Sequence, residues 1–377
     1  MGADVIKVER PDVGDDARQY GPPFFGTPED NQSGFYLSAN RNKRSITIDH
    51  SRPEGAHLVA ELAECSDVLI ENYRPGVLAK YGLDYASLRR LNPRLVYCSV
   101  TGFGQDGPYA MRPGYDGVFQ AMSGMMSVSG IPDGEPGAGP MKVGVSMVDI
   151  LTGLYAASAI LAALHYRDTV SGTGQLIDLA LLDCGLASLS HYVQNYLISG
   201  AAAPRRGNGG FGGIPSQAFS CRDADIFVVA STPRQWSGLS EALGRPELAT
   251  DPRFATVSAR IANRDLVLDT LSEIFGEHDA AYWVRRLEEA DVPVSPVNTM
   301  DGVFANPQIR YRRMRRTVNV AGHGAVDVVA NPIRFSDTPL ETYAAPPRLG
   351  EQTHDVLTTV LGKTDTEIAK LRACDAI

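Results

Sequence analysis

Asp149 is the residue whose type and position most favour chemistry. It begins a predicted helix over 149–166 that is almost wholly apolar and rich in alanine, so we expect this helix to be buried on most sides. The free N–H groups and the positive dipole end of a helix start favour an ionised carboxylate. Such a carboxylate in apolar surroundings is a candidate nucleophile. Aspartate is also a common N-cap residue, and the sequence pattern leaves nucleophile and cap undecided.

The glycine-rich segment GNGGFGG at 207–213 is the second candidate. Its backbone N–H groups can approach a ligand closely, as in an oxyanion hole or an anion-binding nest. It does not predict a dinucleotide site, because it follows a helix and a linker rather than a strand. A flexible linker explains the same composition.

Charge and composition exclude several classes of partner. The net charge of −9 and the pI near 5.3 disfavour binding to nucleic acid or to anionic lipid. The arginine-rich stretch RYRRMRR at 310–316 lacks the context of a nucleic-acid-binding fold, so it indicates a solvated face or a subunit-interface helix. A local basic pocket for a small anionic substrate remains compatible with this charge.

Cysteine and histidine spacing predicts neither a disulfide framework nor a metal site. The five cysteines are scattered without CxxC spacing, and the seven histidines show no paired spacing. The longest apolar run, 150–164, is interrupted by polar residues and glycine and is too short to span a bilayer. The N-terminus has no signal-peptide core. We therefore predict a soluble cytoplasmic protein that binds no metal, nucleic acid or membrane.

The N-terminal part alternates strands with helices, which indicates βαβ units and a mostly parallel sheet. Ser51 and Glu54 predict a capping box at the first of these helices. Strands are predicted at 5–8, 44–49, 67–71 and 95–100, and helices at 53–64, 84–92, 115–126, 149–166 and 179–198. A second α/β region over 216–298 follows a linker, with a strand at 226–230 and helices near 235–243, 259–275 and 280–290. The chain over 292–347 is predicted to be irregular.

Several stretches form one ordered pattern along the chain. They are GADVIKVERP at 2–11, NRNKRSITIDHSRPEG at 40–55, ENYRPGVLAKYGLDY at 71–85, LNPRLVYCSVTGFGQDGPY at 91–109, GYDGVFQAMSG at 114–124 and VSMVDILTGLYAASAILAAL at 145–164. Together they resemble the family III CoA-transferases, the CaiB/BaiF family, over essentially the whole chain.

The resemblance implies a fold: a Rossmann-like large domain and a smaller α/β domain, in an interlocked homodimer. The implied large domain comprises 1–199 and the returning segment 333–377, and the small domain comprises 216–305, with linkers at 200–215 and 306–332. Family members normally begin with a further strand and helix that help to line the CoA pocket. We therefore expect either that Met1 is not the true start or that this pocket wall is missing and activity is impaired.

The resemblance also implies the chemistry. Asp149 matches the family's catalytic aspartate, which carries CoA as an aspartyl thioester between an acyl-CoA donor and a small carboxylic acid acceptor, here expected to be a dicarboxylate. CoA is then a substrate, and no permanently bound cofactor is implied. The CoA contacts carried over by motif are Arg10, Ile48, Asn72, Tyr73, Lys80, Arg112 and Tyr115. A loop that covers the intermediate matches Gly209, Gly210, Gly212 and Gly213, although Phe211 interrupts its glycines.

Tyr115 separates the two chemistries of the family. The racemase branch has a histidine there, which pairs with the aspartate to exchange an α-proton. A tyrosine with a pKa near 10 is a poor acid/base partner at neutral pH, so we favour the transferase. Racemisation of a 2-methylacyl-CoA and a non-catalytic CoA-binding protein stay as the alternatives.

Overall fold

The computed structural model describes residues 2–28, 30–210, 212–320 and 322–377 as a mixed α/β protein with several small sheets. The chain divides into two compact units. The first comprises Met1–Tyr115, Asp149–Cys184 and Phe304–Ile377, and the second comprises Asp116–Val148 and Gly185–Val303. The domain limits expected from the sequence group the chain differently at 116–148 and 185–199, and they stay a prediction.

The strands are short and fall into separate sheets. They are β1 Val5–Glu9, β2 Phe24–Thr27, β3 Asp30–Ser33, β4 Lys43–Thr47, β5 Val68–Glu71, β6 Val96–Thr101, β7 Gly130–Ile131, β8 Gly139–Pro140, β9 Leu176–Ala180, β10 Ser216–Ser220, β11 Asp225–Val229, β12 Val294–Pro296, β13 Arg315–Val320 and β14 Gly324–Val329. β1 pairs with β4 in parallel, and β5, β6 and β9 form a parallel sheet in that order. The predicted parallel arrangement of the N-terminal strands is thus confirmed for these pairs.

The helices surround these sheets. They are α1 Gly34–Ala39, α2 Pro53–Glu64, α3 Tyr85–Leu91, α4 Asp116–Met122, α5 Met125–Val128, α6 Met147–Tyr166, α7 Leu181–Ser188, α8 His191–Ser199, α9 Pro233–Ala242, α10 Val257–Ala262, α11 Arg264–Phe275, α12 Ala280–Glu289, α13 Met300–Ala305, α14 Pro307–Tyr311, α15 Thr353–Thr359 and α16 Asp365–Ala373. Most predicted helices are present, although those over 115–126, 179–198 and 259–275 are each divided in two.

Each unit has its own core. In the first unit, Ile46 and Ile48 of the β4 region pack with Leu58 of α2 and with Val356 and Ile368 of the C-terminal helices. In the second unit, the antiparallel sheet β10–β11–β12 packs against α9, α11 and α12 through a core that includes Trp236, Leu271, Phe275, Trp283 and Leu287. Burial of these large aromatic side chains is the main stabilising contribution to that core.

Three local predictions are wrong. The capping box fails because Pro53 is the first residue of α2 and Arg52 is its N-cap, while the Ser51 hydroxyl donates to Asp49 instead. The predicted helix over 179–198 begins with the strand β9, because Leu176–Ala180 pairs with β6. The region over 292–347 is not irregular: it contains the hairpin β13–β14, so RYRRMRR lies partly in α14 and partly in β13.

Helix α6 begins earlier than predicted and is less buried. Only Val148, Thr152, Ala156 and Ala163 are buried, which is one face at helical spacing. The other faces expose large apolar side chains, for example Leu154 at 61%. The expectation of burial on most sides is therefore wrong for the single chain.

The segment Met147–Ser171 is long and apolar enough to cross a membrane by length and composition, and it alone meets this test among the described residues. The apolar run 150–164, on which the prediction of no membrane span rests, is shorter than this helix, so helix length does not exclude a span. One such helix is weak evidence for a membrane segment, because apolar helices that pack against protein meet the same test.

Candidate active site

The predicted CoA-contacting residues that follow strands lie together at the carboxyl ends of the parallel strands. Arg10 follows β1, Ile48 follows β4, and Asn72 and Tyr73 follow β5. The Ile48 amide donates to the Glu9 carbonyl at 2.9 Å, so the first two strand ends are adjacent. Burial raises the pKa of Tyr73, and the nearby Arg10 charge opposes this rise. The carboxyl ends of parallel strands are where open α/β sheets bind ligands.

These residues differ in exposure. Ile48 is 1% exposed and belongs to the core of the first unit, so it supports the strand end from beneath. Tyr73 is 42% exposed, and Arg10 and Asn72 are exposed as well. Arg10 donates to the Asp16 carboxylate at 2.6 Å and to the Gly14 carbonyl at 3.2 Å. These two hydrogen bonds to the following loop therefore restrain the Arg10 guanidinium next to the strand ends.

His50 belongs to this cluster, although no motif or spacing in the sequence points to it. Its ring meets those of Tyr73 and Tyr81 edge to face, with centroids 5.4 and 5.2 Å away. Burial lowers the pKa of His50, so a neutral imidazole is favoured at neutral pH. The three rings form an aromatic wall beside Ile48. A histidine that reaches a site only through tertiary packing has no spacing signature.

A buried polar network supports the turn that carries Asn72 and Tyr73. The Tyr73 amide donates to Glu71 Oε2 at 2.8 Å, and the Ser99 hydroxyl donates to Glu71 Oε1. Gln105 Nε2 in turn donates to Ser99 Oγ at 2.7 Å. Burial raises the pKa of Glu71, which the bonds from Ser99 and Tyr73 oppose. Glu71, Ser99 and Gln105 border a cavity of about 260 Å³ that Arg74 also lines.

The other three predicted contacts lie farther along the first unit. Lys80 is exposed in the short turn Leu78–Tyr81. The Arg112 guanidinium stacks on the Tyr109 ring, 3.7 Å from its centroid, which is cation–π geometry. Tyr115 is 79% exposed and immediately precedes α4. No hydrogen bond, ion pair or ring contact in the described ranges joins Lys80 to the strand-end cluster.

Asp149 occupies the third position of α6 rather than its N-cap. The helix begins at Met147, so the carboxylate lies within the first turn, at the positive end of the helix dipole. Asp149 is exposed in the single chain. The N-cap interpretation is therefore wrong, but the carboxylate still lies near the positive end of the helix dipole.

A second aspartate takes over the capping role. Asp116 of α4 is 6% exposed, and its Oδ1 accepts a hydrogen bond from the Val148 amide at 2.8 Å. Its Oδ2 accepts from Gln120 Nε2 at 2.6 Å. Fully buried Gln120 also accepts from the Val143 amide at 2.9 Å and donates to the Val145 carbonyl at 3.2 Å. The Asp116–Gln120 pair thus fixes the entry of α6, one residue before Asp149.

The glycines of the predicted substrate loop are glycines for different reasons. A Cβ on Gly209 would overlap Nη2 of Arg264, and one on Gly213 would overlap the Ser231 side chain. At Gly210 it would lie 2.9 Å from Ser216 Oγ. Gly212 instead has φ = +101°, which L side chains rarely adopt. Phe211 lies outside the described residues.

The thiols and the possible metal ligands also bear on the expectations from the sequence. Within the described ranges, no group of three or more His, Cys, Asp or Glu side chains is placed to hold a metal ion. Burial raises the pKa of the Cys98 and Cys221 thiols to about 11, so neither is a thiolate at neutral pH.

Comparisons with known proteins point to one family. A family model described as CoA-transferase family III matches residues 1–353. The chain is 43% identical over 359 residues to the succinate–glutarate CoA-transferase of Agrobacterium fabrum, covering 95% of this chain and 88% of that protein. It is 39% identical over 377 residues to the human succinyl-CoA:glutarate CoA-transferase, covering 100% of this chain and 84% of that protein. A solved CaiB/BaiF family protein from Brucella suis superposes with a TM-score of 0.84 at 43% identity, covering 95% of this chain and 92% of that one.

Proposed function

The chain belongs to CoA-transferase family III and is a CoA-transferase, and we propose that it moves CoA from an acyl-CoA donor to a carboxylic acid through a thioester on Asp149. The observation that carries this proposal is the family match across 1–353, within which Asp149 is an acidic residue in the first turn of α6. The Asp116–Gln120 pair supports it, because a buried pair that fixes this turn also fixes the carboxylate.

The proposed chemistry has two symmetric halves. The Asp149 carboxylate attacks the donor thioester, which forms a mixed anhydride and releases CoA thiolate. The thiolate attacks the aspartyl carbonyl, so the donor acid leaves and aspartyl-CoA remains. The acceptor carboxylate then attacks aspartyl-CoA, which forms a second anhydride and releases CoA thiolate again. The thiolate attacks the acceptor's acyl carbonyl in this anhydride, so the new acyl-CoA forms and the Asp149 carboxylate leaves. Each covalent species conserves the thioester's energy, provided that water is excluded.

The proposed acids are dicarboxylates. The two relatives described above are named for succinate and glutarate, and they match nearly the whole of this chain. Identity over this length supports a shared substrate class but leaves the individual acid open to experiment. Dicarboxylates as both donor and acceptor would let one pocket serve the two halves of the reaction.

We also propose that the strand-end cluster binds CoA. Arg10, Lys80 and Arg112 supply positive charge for the phosphates through charge-assisted hydrogen bonds. Asn72 and Tyr73 contact the nucleotide or pantetheine part of CoA, and Ile48 packs beneath them. Tyr115 contacts CoA at the periphery of this site. The four loop glycines at 209, 210, 212 and 213 cover the intermediate. The support for this assignment is that Arg10, Ile48, Asn72 and Tyr73 directly follow the parallel strands β1, β4 and β5.

The proposed assembly is an interlocked homodimer with a Rossmann-like large domain formed by 1–199 and 333–377. Its support is the apolar surface of α6 and α8 in the single chain, where Ile150, Leu154, Leu161, Leu197 and Ile198 are each more than half exposed. An apolar helix face of this kind is typical of a subunit interface. We place the enzyme in the cytoplasm.

Intact-protein mass spectrometry tests the proposed intermediate. The protein is incubated with succinyl-CoA or glutaryl-CoA, and its mass should rise by that of CoA less one water. Hydroxylamine should remove this adduct, and Asp149→Asn should not form it. Asp183→Asn is the matched control, because Asp183 is also an exposed aspartate in the first turn of an apolar helix. CoA binding without an adduct, or an adduct that persists in Asp149→Asn, would refute the mechanism.

A further inference from the structure

Two arginines beside the glycine loop lack the partners that their neighbours have. Arg206 and Arg264 are both half-buried, yet neither guanidinium forms a hydrogen bond or an ion pair in the ranges that the structure describes. Guanidinium groups that lose water normally gain carbonyl or carboxylate partners. A pair of such groups without them indicates that a ligand supplies the acceptor atoms.

The contrast with adjacent arginines is sharp. Arg205 donates to the Ile131 carbonyl at 3.0 Å and pairs with Asp133. Fully buried Arg260 donates to the carbonyls of Ile214, Phe254 and Ser231 at 2.6, 2.9 and 3.1 Å. The fold of this unit therefore satisfies arginines where they are structural. Arg206 and Arg264 are left open.

Both arginines touch Gly209, Arg206 through its backbone carbonyl and Arg264 through its guanidinium. The Gly209 amide donates to the Arg206 carbonyl at 2.8 Å, and the Arg264 guanidinium fills the space that a Cβ on Gly209 would occupy. Glycine at 209 thus lets Arg264 reach the loop backbone. Burial lowers the pKa of Arg264 and the Arg206 charge adds to this effect, whereas Asp265 opposes it. An anion between the two guanidinium groups would relieve their repulsion.

We propose that Arg206 and Arg264 bind the distal carboxylate of a dicarboxylate substrate at the glycine loop. This inference rests on the proposed function, in which Gly209, Gly210, Gly212 and Gly213 form the substrate loop. A guanidinium fork matches a carboxylate in two parallel hydrogen bonds. The two arginines then select dicarboxylates over monocarboxylates, because a monocarboxylate leaves both charges unpartnered.

Calorimetric titration of the CoA-saturated enzyme tests this without turnover. The probes are glutarate and pentanoate, which have the same carbon chain but differ in the distal carboxylate. We expect wild type to bind glutarate about tenfold to a hundredfold more tightly, as charge-assisted hydrogen bonds allow. Arg264→Gln and Arg206→Gln should each remove most of this preference and leave affinity for CoA unchanged. Arg264→Lys keeps the charge and the stem and should retain part of the preference.

The control is Arg234→Gln, because Arg234 is an exposed arginine of the same unit that pairs with Asp291. Gly209→Ala should act like Arg264→Gln, since the added Cβ displaces the guanidinium. Equal binding of the two acids by wild type, or an undiminished preference in Arg264→Gln, would overturn the proposal. Weaker CoA binding in Arg264→Gln would overturn it too, because the arginine would then hold a CoA phosphate. A preference that depends on Arg264 in an enzyme that forms no aspartyl adduct would sustain this site and refute the proposed chemistry alone.

Discussion

Replacement of Asp116 by asparagine tests how α6 presents Asp149. The carboxylate accepts one bond from the Val148 amide at 2.8 Å and another from Gln120 Nε2 at 2.6 Å. Asparagine has the same shape but only one acceptor oxygen. Its amide group must therefore face one of these two N–H donors, which loses that bond and sets donor against donor.

The size of the effect follows from burial. Loss of a hydrogen bond to a charged acceptor costs about 1.5–3 kcal/mol, and about 1 kcal/mol more where the donor stays buried without a partner. Asp116 is 6% exposed, so little water can compensate. We expect the local opening free energy at the start of α6 to fall by about 2–4 kcal/mol. At about 1.4 kcal/mol per tenfold, amide exchange at Val148 should accelerate roughly thirtyfold to a thousandfold.

Catalysis should fall with it, since a displacement of about 1 Å in a reacting group can cost about a hundredfold in rate. Hydrogen–deuterium exchange over 141–150 and steady-state kcat measure the two effects in the same preparation. Asp301→Asn is the control, because Asp301 is an exposed acidic residue in the first turn of α13 in the same unit. Wild-type exchange at Val148 together with wild-type kcat in Asp116→Asn would refute this reasoning.

Glu9→Gln should lower the free energy of unfolding by about 3–5 kcal/mol in urea titrations relative to the exposed control Asp12→Asn, because it leaves buried Arg18 without its carboxylate. Burial raises the pKa of Glu9, but hydrogen bonds from Arg18 and Ser45 outweigh burial and hold this pKa below its usual value. The difference in unfolding free energy between wild type and Glu9→Gln should therefore shrink as the pH falls through the pKa of Glu9. A difference that does not change with pH would contradict the assignment. Tyr73→Ala should raise KM for the acyl-CoA about tenfold with little change in kcat, as expected for loss of roughly 1.4 kcal/mol of binding free energy. The control Tyr311→Ala removes a ring that is 78% exposed and should leave KM unchanged. Equal effects of the two substitutions on KM would count against the CoA assignment. Leu154→Glu should reduce the mass measured by sedimentation velocity from twice 40.6 kDa to that of one chain. The control is Leu91→Glu, which places the same charge at an exposed leucine of α3. A monomeric wild type would rule out the dimer.

Local patterns predict the parts of the fold that depend on local physics. The alternation of β-branched and polar residues locates β1, β4, β5 and β6, and the apolar run locates α6 to within two residues. The strand β9 escapes, because LIDLA is equally typical of the start of the helix that follows it. Only its pairing with β6, far away in sequence, decides between strand and helix.

The site divides in the same way. Motifs point to Asp149 and the strand-end residues as candidates, and in the fold Asp149 lies in the first turn of α6 while the others follow β1, β4 and β5. The cap of α6 belongs to Asp116 rather than to Asp149, and no local pattern shows this, because Asp116 reaches Val148 across 32 residues of sequence. His50, Arg206 and Arg264 escape prediction for a similar reason. What distinguishes His50 is its ring contacts, and what distinguishes the two arginines is that neither guanidinium forms a hydrogen bond within the part of the chain that the structure describes. Both are properties of the folded chain and not of the local sequence.

The closing of the first unit by the C-terminal helices has a consequence for synthesis. Val356, Leu357 and Ile368 complete the core around Ile46 and Ile48, and the Asp49 amide donates to the Ala376 carbonyl at 2.9 Å. A chain emerging from the ribosome must therefore hold β1 and β4 without this cover until residues 353–376 have been synthesised. The second unit draws its own core from 214–292 and can form earlier. Truncation of the chain before Thr353 would therefore uncover Ile46 and Ile48, while the core of the second unit would keep all of its residues.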